Sequence, residues 1–173
     1  MMEKDAIYHI AIDGPSASGK GTVARELSIR LGIPYLDTGA MYRGVAVYIY
    51  DKGIDYENQG AVAAELTNIR MAVDVKNGET RVMINGKDIT GRLRENQISM
   101  MSSKTATYPE VRKMMREHQQ DIAKTQSFIL DGRDICSAVL PNARYKFFLT
   151  ADLDTRARRR YNDLVRKGEK CTP

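Results

Sequence analysis

The stretch IAIDGPSASGKGT, residues 10–22, decides the fold of this chain. Residues 7–12 are largely apolar and end at Asp13, just before a glycine-rich segment, which predicts a buried parallel strand that leads into a loop. Residues 14–20 match the pattern G-x-x-x-x-G-K, and a helix is expected to begin at Lys20. Because a predicted strand and a predicted helix flank the match, we interpret it as a phosphate-binding loop rather than as a glycine-rich turn with an incidental lysine.

This loop is expected to bind nucleotide phosphates mainly through its backbone. Glycine lets backbone N–H groups approach phosphate oxygens closely, and the N-terminus of the following helix attracts anions. Lys20 would place its ammonium group near the β- and γ-phosphates. The predicted nucleotide-binding residues are Gly14, Pro15, Ser16, Ala17, Ser18, Gly19, Lys20, Gly21 and Thr22.

The residues after Lys20 bear on how the loop would bind a metal ion. Gly21 comes first and the hydroxyl group follows at Thr22, so the usual direct metal ligand of such a loop is missing. A magnesium ion is therefore expected to depend on phosphate oxygens and water, with Thr22 and Asp131 as candidates for contacts through water. The sequence contains no N-K-x-D motif, which weakens the interpretation as a GTPase.

Strands and helices are predicted to alternate through much of the remaining chain, which indicates an α/β fold with a parallel sheet flanked by helices. The first helix has Val23, Leu27 and Leu31 at helical spacing, and these are expected to form its apolar face. Further strands are predicted at residues 34–36, 128–130 and 145–149, the last two of them buried, and further helices at residues 41–50, at residues 61–71 and from Pro109 onward.

The segment from Val73 to Ile89 changes to the period-two pattern of strands. Two Asn-Gly dipeptides, at residues 77–78 and 85–86, are typical of tight turns between antiparallel strands. The sequence therefore predicts a small antiparallel insert within the parallel α/β fold.

Two arginines follow predicted strands at the sheet edge where ligands usually bind. Arg43 lies in DTGAMYR, residues 37–43, and Arg133 lies in DGRD, residues 131–134. Arg43 could bind an acceptor phosphate or could be an ordinary solvated arginine on a helix. The DGRD segment could likewise be part of a binding site or form a structural ion pair.

A cluster of four arginines, residues 156 and 158–160, is the most basic part of the chain. It could form a solvated helix face, bind a nucleotide or bind nucleic acid. The sequence shows neither an aromatic platform nor a recognised nucleic-acid-binding motif, so we expect no nucleic-acid partner.

Composition sets broader limits on the class of protein. The 173 residues carry a formal charge of +5, which favours anionic partners. The two cysteines, Cys136 and Cys171, form neither a C-x-x-C pair nor a metal-ligand pattern, and we expect both to be reduced. The N-terminal apolar stretch is too short for a signal peptide or a membrane span, so we expect a cytoplasmic protein with no membrane partner. We also expect a monomer.

Taken together, residues 10–22, DTGAMYR, the hairpin insert and DGRDI resemble bacterial cytidylate kinase, in the same order and across nearly the whole chain. The resemblance implies a kinase that transfers the γ-phosphoryl group of ATP to CMP or dCMP with Mg²⁺ as cofactor. It implies a core of residues 1–60 and 104–155, an acceptor-binding insert of residues 61–103 and the start of a lid at residues 156–173.

The resemblance also implies roles for particular residues. Lys20, Arg43, Arg133 and the lid residue Arg159 would be catalytic. The acceptor nucleotide would contact Asp37, Thr38, Tyr42, Arg43, Ser103, Arg112, Arg133 and Asp134, with Ser103, Arg112 and Asp134 at the positions that bind cytosine.

Two departures from the family pattern are visible. Cys136 and Ser137 stand where glycine and threonine usually follow DGRD, so we expect the local backbone to differ there. The sequence stops at Pro173, within the expected lid, so we expect an uncovered sheet edge beside residues 145–149 and weaker nucleotide binding and slower turnover than in a full-length relative.

Two other functions remain open from the residues alone. The same scaffold could phosphorylate UMP or a small non-nucleotide acceptor. The chain could instead be a catalytically weak module that binds a nucleotide or RNA.

Overall fold

A computed structural model describes residues 6–76, 79–166 and 168 of the protein, which form two sheets. The strands are β1 His9–Asp13, β2 Tyr35–Asp37, β3 Met71–Lys76, β4 Glu79–Ile84, β5 Lys87–Asp88, β6 Phe128–Gly132 and β7 Tyr145–Phe148. The larger sheet has the order β2-β6-β1-β7, with every pair parallel. The predicted parallel α/β fold is confirmed.

Helices connect the strands and flank the larger sheet. They are α1 Lys20–Leu31, α2 Thr38–Asp51, α3 Gln59–Glu65, α4 Asn96–Thr105, α5 Pro109–Ala123 and α6 Leu153–Arg166. Each of the first two begins directly after a strand or the phosphate loop. The side chain of Asp37 caps α2 by accepting a hydrogen bond from the amide of Ala40, and Gly32 ends α1 in the left-handed conformation. Within the described residues no helix is both long and apolar enough to cross a lipid bilayer.

The antiparallel insert has the strand order β3-β4-β5. Asn85 and Gly86 both have positive φ, as the predicted Asn-Gly turn requires, whereas the other predicted turn, residues 77–78, lies outside the described residues. The insert packs on α2 where Gly44 leaves room: a Cβ atom there would lie 3.0 Å from Val82 Cγ1. The structure therefore confirms the hairpin and shows that it rests on the helix after β2.

One helix was predicted too long, and another was missed. The helix predicted over residues 61–71 ends at Glu65, a short 3₁₀ turn covers Leu66–Asn68, and Met71 already belongs to β3. Helix α4 was not predicted at all. Its sequence NQISMMSSKT contains few strong helix formers, and its stability comes from burying Ile98 and Met101 against the core.

The parallel sheet is covered very differently on its two faces. A large apolar cluster, which includes residues of α2, α4, α5 and the insert, fills one face, while a small cluster under α1 fills the other. The predicted apolar face of α1 was wrong at Val23 and Leu31, which are exposed, whereas Leu27 packs against the small cluster as predicted. The buried positions of the helix are Lys20, Ala24 and Ser28. Small residues at 24 and 28 let the helix lie close to the sheet.

Strand β7 also differs from its prediction. All four of its residues are exposed, so it is an edge strand and not the buried strand that its apolar sequence suggested. Of its aromatic rings, that of Tyr145 makes an edge-to-face contact with Tyr8. Among the described strands, β7 pairs with β1 alone.

Candidate functional site

Three aspartates meet at the carboxyl edge of the parallel sheet. Asp37 of β2 lies opposite Asp131 of β6, and Asp13 of β1 lies opposite Gly132 of β6. Parallel strands end on the same side, so the loops that follow them converge here. This edge carries the predicted phosphate loop, DTGAMYR and DGRD.

The phosphate loop has three residues with positive φ. Ala17 and Gly19 have φ of 59° and 102°, and Gly14 has φ of 150°. A Cβ atom at Gly14 would lie 2.0 Å from the carbonyl oxygen of Leu149, so only glycine fits between the loop and the end of β7. The amide of Leu149 in turn donates to the carbonyl of Asp13 at 2.8 Å, which fixes the loop to the sheet.

Lys20 lies inside this cleft and is buried. Its ammonium group donates to the carbonyl of Pro15 at 2.8 Å. Burial lowers the pKa of Lys20, and the positive charge of Arg133 lowers it further, while Asp131, Asp13 and Asp37 act in the opposite direction. The hydroxyl of Ser18, in the same loop, is buried without a hydrogen-bond partner among the described residues.

Arg133 and its loop are held against the phosphate loop. Its guanidinium donates to the carbonyl of Gly14 at 2.5 Å. The two carboxylate oxygens of Asp13 accept hydrogen bonds from the amides of Ile135 and Cys136, both at 2.8 Å. Asp13 therefore fixes the start of the π-helical turn Ile135–Val139, which directly follows DGRD.

Cys136 lies at one of the two positions where the sequence departs from the family pattern. Its thiol is half-buried and lies 3.6 Å from the carbonyl oxygen of Ala11 and 3.7 Å from that of Phe147. Burial and the neighbouring Asp13 carboxylate raise the pKa of the thiol, so Cys136 is a neutral packing residue. Cys171 lies outside the described residues.

Asp37 connects the end of β2 to Arg43. One carboxylate oxygen accepts from the amide of Ala40 at 3.0 Å, and the other accepts from Arg43 Nη2 at 3.0 Å. Arg43 keeps a buried Nε atom without a partner among the described residues. Thr38, by contrast, is almost fully buried, and its hydroxyl donates to the carbonyl of Asp131 at 2.6 Å. This bond connects the residue that follows β2 to β6.

Asp131 is the most buried carboxylate of the cleft after Asp13. Burial and the nearby charge of Asp37 raise its pKa to about 6, against the opposing effects of the Tyr35 hydrogen bond, Lys20 and Arg43. The hydroxyl of Tyr35 donates to Asp131 Oδ1 at 3.0 Å. Lys20 and Arg43 therefore both lie close enough to Asp131 to lower its pKa.

Two of the three predicted cytosine-binding residues contact each other. Arg112 Nη2 donates to Asp134 Oδ2 at 2.5 Å, and both charges act on the half-buried Tyr42, whose pKa is raised chiefly by burial. Ser103 is exposed, and its hydroxyl donates within its own helix to the carbonyl of Ser99 at 2.9 Å. The structure thus brings together Tyr42, Arg112 and Asp134, and turns Ser103 toward solvent.

The basic cluster lies on α6, and one of its arginines reaches the phosphate loop. Arg159 Nη1 donates to the carbonyls of Ala17 at 3.2 Å and Ser18 at 3.0 Å. Arg158 and Arg160 are exposed, which matches the solvated-face interpretation for those two. The remainder of the predicted lid, residue 167 and residues 169–173, lies outside the described residues.

Thr22 and Asp131 are the residues predicted to contact a metal ion through water. No group of three or more His, Cys, Asp or Glu side chains that could bind a metal occurs in the described ranges. Thr22 is exposed in the first turn of α1, and Asp131 faces Lys20 in the cleft. Bound phosphate and water would therefore supply most oxygen ligands.

Three residues with clear structural roles in the site were missed from the sequence: Asp13, Tyr35 and Thr80. The sequence pattern could have identified Asp13 and Tyr35. Asp13 ends a predicted strand, and Tyr35 alternates with Asp37 in another. Thr80 lies in the insert and had no such pattern, although it contacts the backbone of β2.

Comparisons with known proteins identify relatives of this chain. The family model described as cytidylate kinase matches residues 10–172. The chain is 42% identical over 161 residues to a cytidylate kinase of Shouchella clausii, an alignment that covers 93% of this chain and 72% of that protein. It is 39% identical to a cytidylate kinase of Methylococcus capsulatus and 41% identical to one of Thermotoga sp., each alignment covering 95% of this chain and 74% of the relative.

Proposed function

Because the chain belongs to the cytidylate kinase family, we propose that its cleft transfers the γ-phosphoryl group of ATP to CMP or dCMP, giving ADP and CDP or dCDP. The observation that carries this proposal is the shared position of Lys20, Arg43 and Arg133 at the carboxyl edge of one parallel sheet. Donor and acceptor phosphates can meet only if their binding groups line one cleft, as these residues do.

ATP is the proposed donor, bound by the loop of residues 14–22. The positive-φ backbone at Ala17 and Gly19 and the N-terminus of α1 favour a phosphate anion. Lys20 and Arg159 now donate to loop carbonyls, and on ATP binding we expect both to exchange these bonds for phosphate oxygens.

CMP or dCMP is the proposed acceptor, with its phosphate between Arg43 and Arg133. Asp37 holds Arg43 from one side, and the carbonyl of Gly14 holds Arg133 beside the donor loop. Tyr42, Arg112 and Asp134 would enclose the base, since cytosine presents one amino donor and two acceptors that a carboxylate and a guanidinium can complement. Ser103 would join them only after it gives up its bond to Ser99.

The proposed transfer is an in-line attack of an acceptor phosphate oxygen on the γ-phosphorus of ATP. The attacking oxygen is already largely ionised, so no general base is needed. Lys20, Arg133 and Arg159 would stabilise the negative charge on the transferring group, and closure of α6 over the loop would exclude water.

Magnesium is the proposed cofactor, bound mainly through nucleotide phosphates, with Asp131 and Thr22 in contact through water. When bound, the ion supplies charge neutralisation between the β- and γ-phosphates.

We further propose small-molecule nucleotides as the partners, bound by a monomer without nucleic acid. Support comes from Arg159, which within the basic cluster is turned toward the phosphate loop.

The test is an acceptor panel on wild type and Lys20→Ala, with ADP release measured for CMP, dCMP, UMP and a small alcohol. We expect a preference for CMP or dCMP, and a loss of about 100-fold or more in kcat for the variant. Lys124→Ala, at an exposed lysine of similar charge, is the matched control and should act as wild type.

Two outcomes would replace this proposal. A preference for UMP or the alcohol would change the acceptor. Tight binding of ATP or RNA without acceptor-dependent ADP release would make the protein a binding module.

A further inference from the structure

A threonine of the insert occupies the free edge of the parallel sheet at β2. The hydroxyl of Thr80 accepts a hydrogen bond from the amide of Asp37 at 3.0 Å and donates to the carbonyl of Tyr35 at 3.2 Å. Alternate residues of a strand present their backbone groups to the same side, so these two groups face away from β6. One side chain thereby satisfies two of the backbone groups on the outer edge of β2.

The position of Thr80 is fixed by the rest of its strand. Val82 and Ile84 follow it on the same face of β4 and are buried against α2, where Gly44 allows close approach. A shift of the insert along α2 would therefore displace the Thr80 hydroxyl from β2.

Asp37 links Thr80 to the cleft. The amide of this residue bonds to Thr80, while its carboxylate bonds to Ala40 at the start of α2 and to Arg43. One residue thus joins the insert to the guanidinium that we assign to the acceptor phosphate.

We propose that Thr80 is a positioning residue for the acceptor: it ties the insert to β2 so that Asp37 holds Arg43 in place for the incoming phosphate. This inference rests on the proposed function, since it gives Arg43 the acceptor phosphate as its ligand. Thr80 touches neither nucleotide in this scheme and acts through Asp37.

The test compares Thr80→Val with Thr80→Ser and Thr90→Val in the full chain. Valine keeps the shape of threonine without its hydroxyl, and serine keeps the hydroxyl. Thr90 is the matched control, because its hydroxyl also accepts a hydrogen bond from a backbone amide, that of Val82, at 3.0 Å. This bond lies within the insert and does not involve the sheet edge that carries Asp37.

We expect Thr80→Val to raise the KM for CMP about 5- to 10-fold and to leave the KM for ATP within about twofold, since the partly buried amide of Asp37 loses its acceptor. Thr80→Ser should restore the KM for CMP. Thr90→Val should lower the melting temperature without changing either KM. If Thr80→Val matches Thr90→Val, or if serine fails to rescue, Thr80 is merely structural and the inference is wrong.

Amide hydrogen exchange provides a readout that does not depend on turnover. The amide of Asp37 should lose protection in Thr80→Val, keep it in Thr80→Ser and keep it in Thr90→Val, and the guanidinium NMR signal of Arg43 should shift only in the first. Those changes in a protein that phosphorylates no CMP would support the positioning and overturn the function. Unchanged exchange in an active CMP kinase would overturn the positioning alone.

Discussion

The two edges of the parallel sheet differ in what covers them. At β2, the insert lies alongside, and Thr80 bonds to the strand backbone. At β7, no described strand pairs with the outer edge, and every residue is exposed. Within the described residues, a side chain of the insert therefore bonds to the β2 edge, whereas the outer edge of β7 pairs with no strand.

The difference matches the parts of the site that each edge supports. The β2 edge leads into α2 and the proposed acceptor residues, which the large apolar cluster and the insert hold firmly. Beside β7, the donor loop follows β1 and is contacted by Leu149 and Arg133. Helix α6 has no buried residue and reaches the loop through Arg159. Segments with few buried contacts open at low free-energy cost, so the donor side is the one suited to closing and opening during turnover.

The largest effect is expected from Gly14→Ala, where the donor loop meets the end of β7. A methyl group 2.0 Å from the carbonyl oxygen of Leu149 must displace backbone, so we expect a loss of about 3 kcal/mol in the free energy of unfolding. Thermal unfolding would show this as a melting temperature lower by roughly 6–12 °C.

Gly53→Ala is the control for that variant. Gly53 also has positive φ, of 64°, but no atom lies within 4 Å of the position that a methyl group would take at this residue, so strain alone should cost about 1 kcal/mol. Equal losses in the two variants would mean that the contact with Leu149 does not hold the donor loop.

A smaller and more selective effect should separate the two sides of the cleft. Arg43→Met should raise the KM for CMP about 10- to 100-fold and change the KM for ATP little, because it removes a charged phosphate contact. Arg159→Met should instead lower kcat about 10-fold or more, because this arginine approaches the donor loop. Steady-state kinetics with each substrate varied in turn measures both.

Each arginine has a matched control. Arg92 pairs with Asp51 at 2.6 Å and its side chain is 29% exposed, close to the 31% of Arg43, so Arg92→Met removes a similar ion pair outside the cleft. Arg158 is the exposed neighbour of Arg159 on α6. If Arg43→Met and Arg159→Met affect the same kinetic constant, the assignment of the two edges to acceptor and donor is incorrect.

The sequence predicted the donor side of the cleft better than the contacts on the acceptor side. The donor loop, α1 and the ends of β1 and β6 were predictable because local chemistry determines them: glycines for positive φ, and apolar strands that end in aspartate. The inward turn of Thr38 was not predictable, because it depends on the carbonyl of Asp131, which lies far away in the chain.

The errors came from residues whose neighbours lie in distant elements. Val23 and Leu31 have the spacing of a buried face, but small residues at 24 and 28 set how α1 meets the sheet. The apolar sequence of β7 suggested burial, and only the strand order reveals that it is an edge. Thr80 carried no signal, because its role requires β4 to lie beside β2.

The smallest effect on folding, and the most direct test of the open edge, is expected from Phe148→Lys. Phe148 is 72% exposed on β7, so its replacement should change the free energy of unfolding by no more than about 0.5 kcal/mol. A charge on an exposed edge strand opposes pairing with another chain, so light scattering on heating should appear later than in wild type.

Leu153→Lys, at a residue 69% exposed at the start of α6, is the control for exposed apolar surface away from the strand. If both lysines delay aggregation equally, general hydrophobicity and not the unpaired edge of β7 drives association, and the contrast between the two edges has no consequence for solubility.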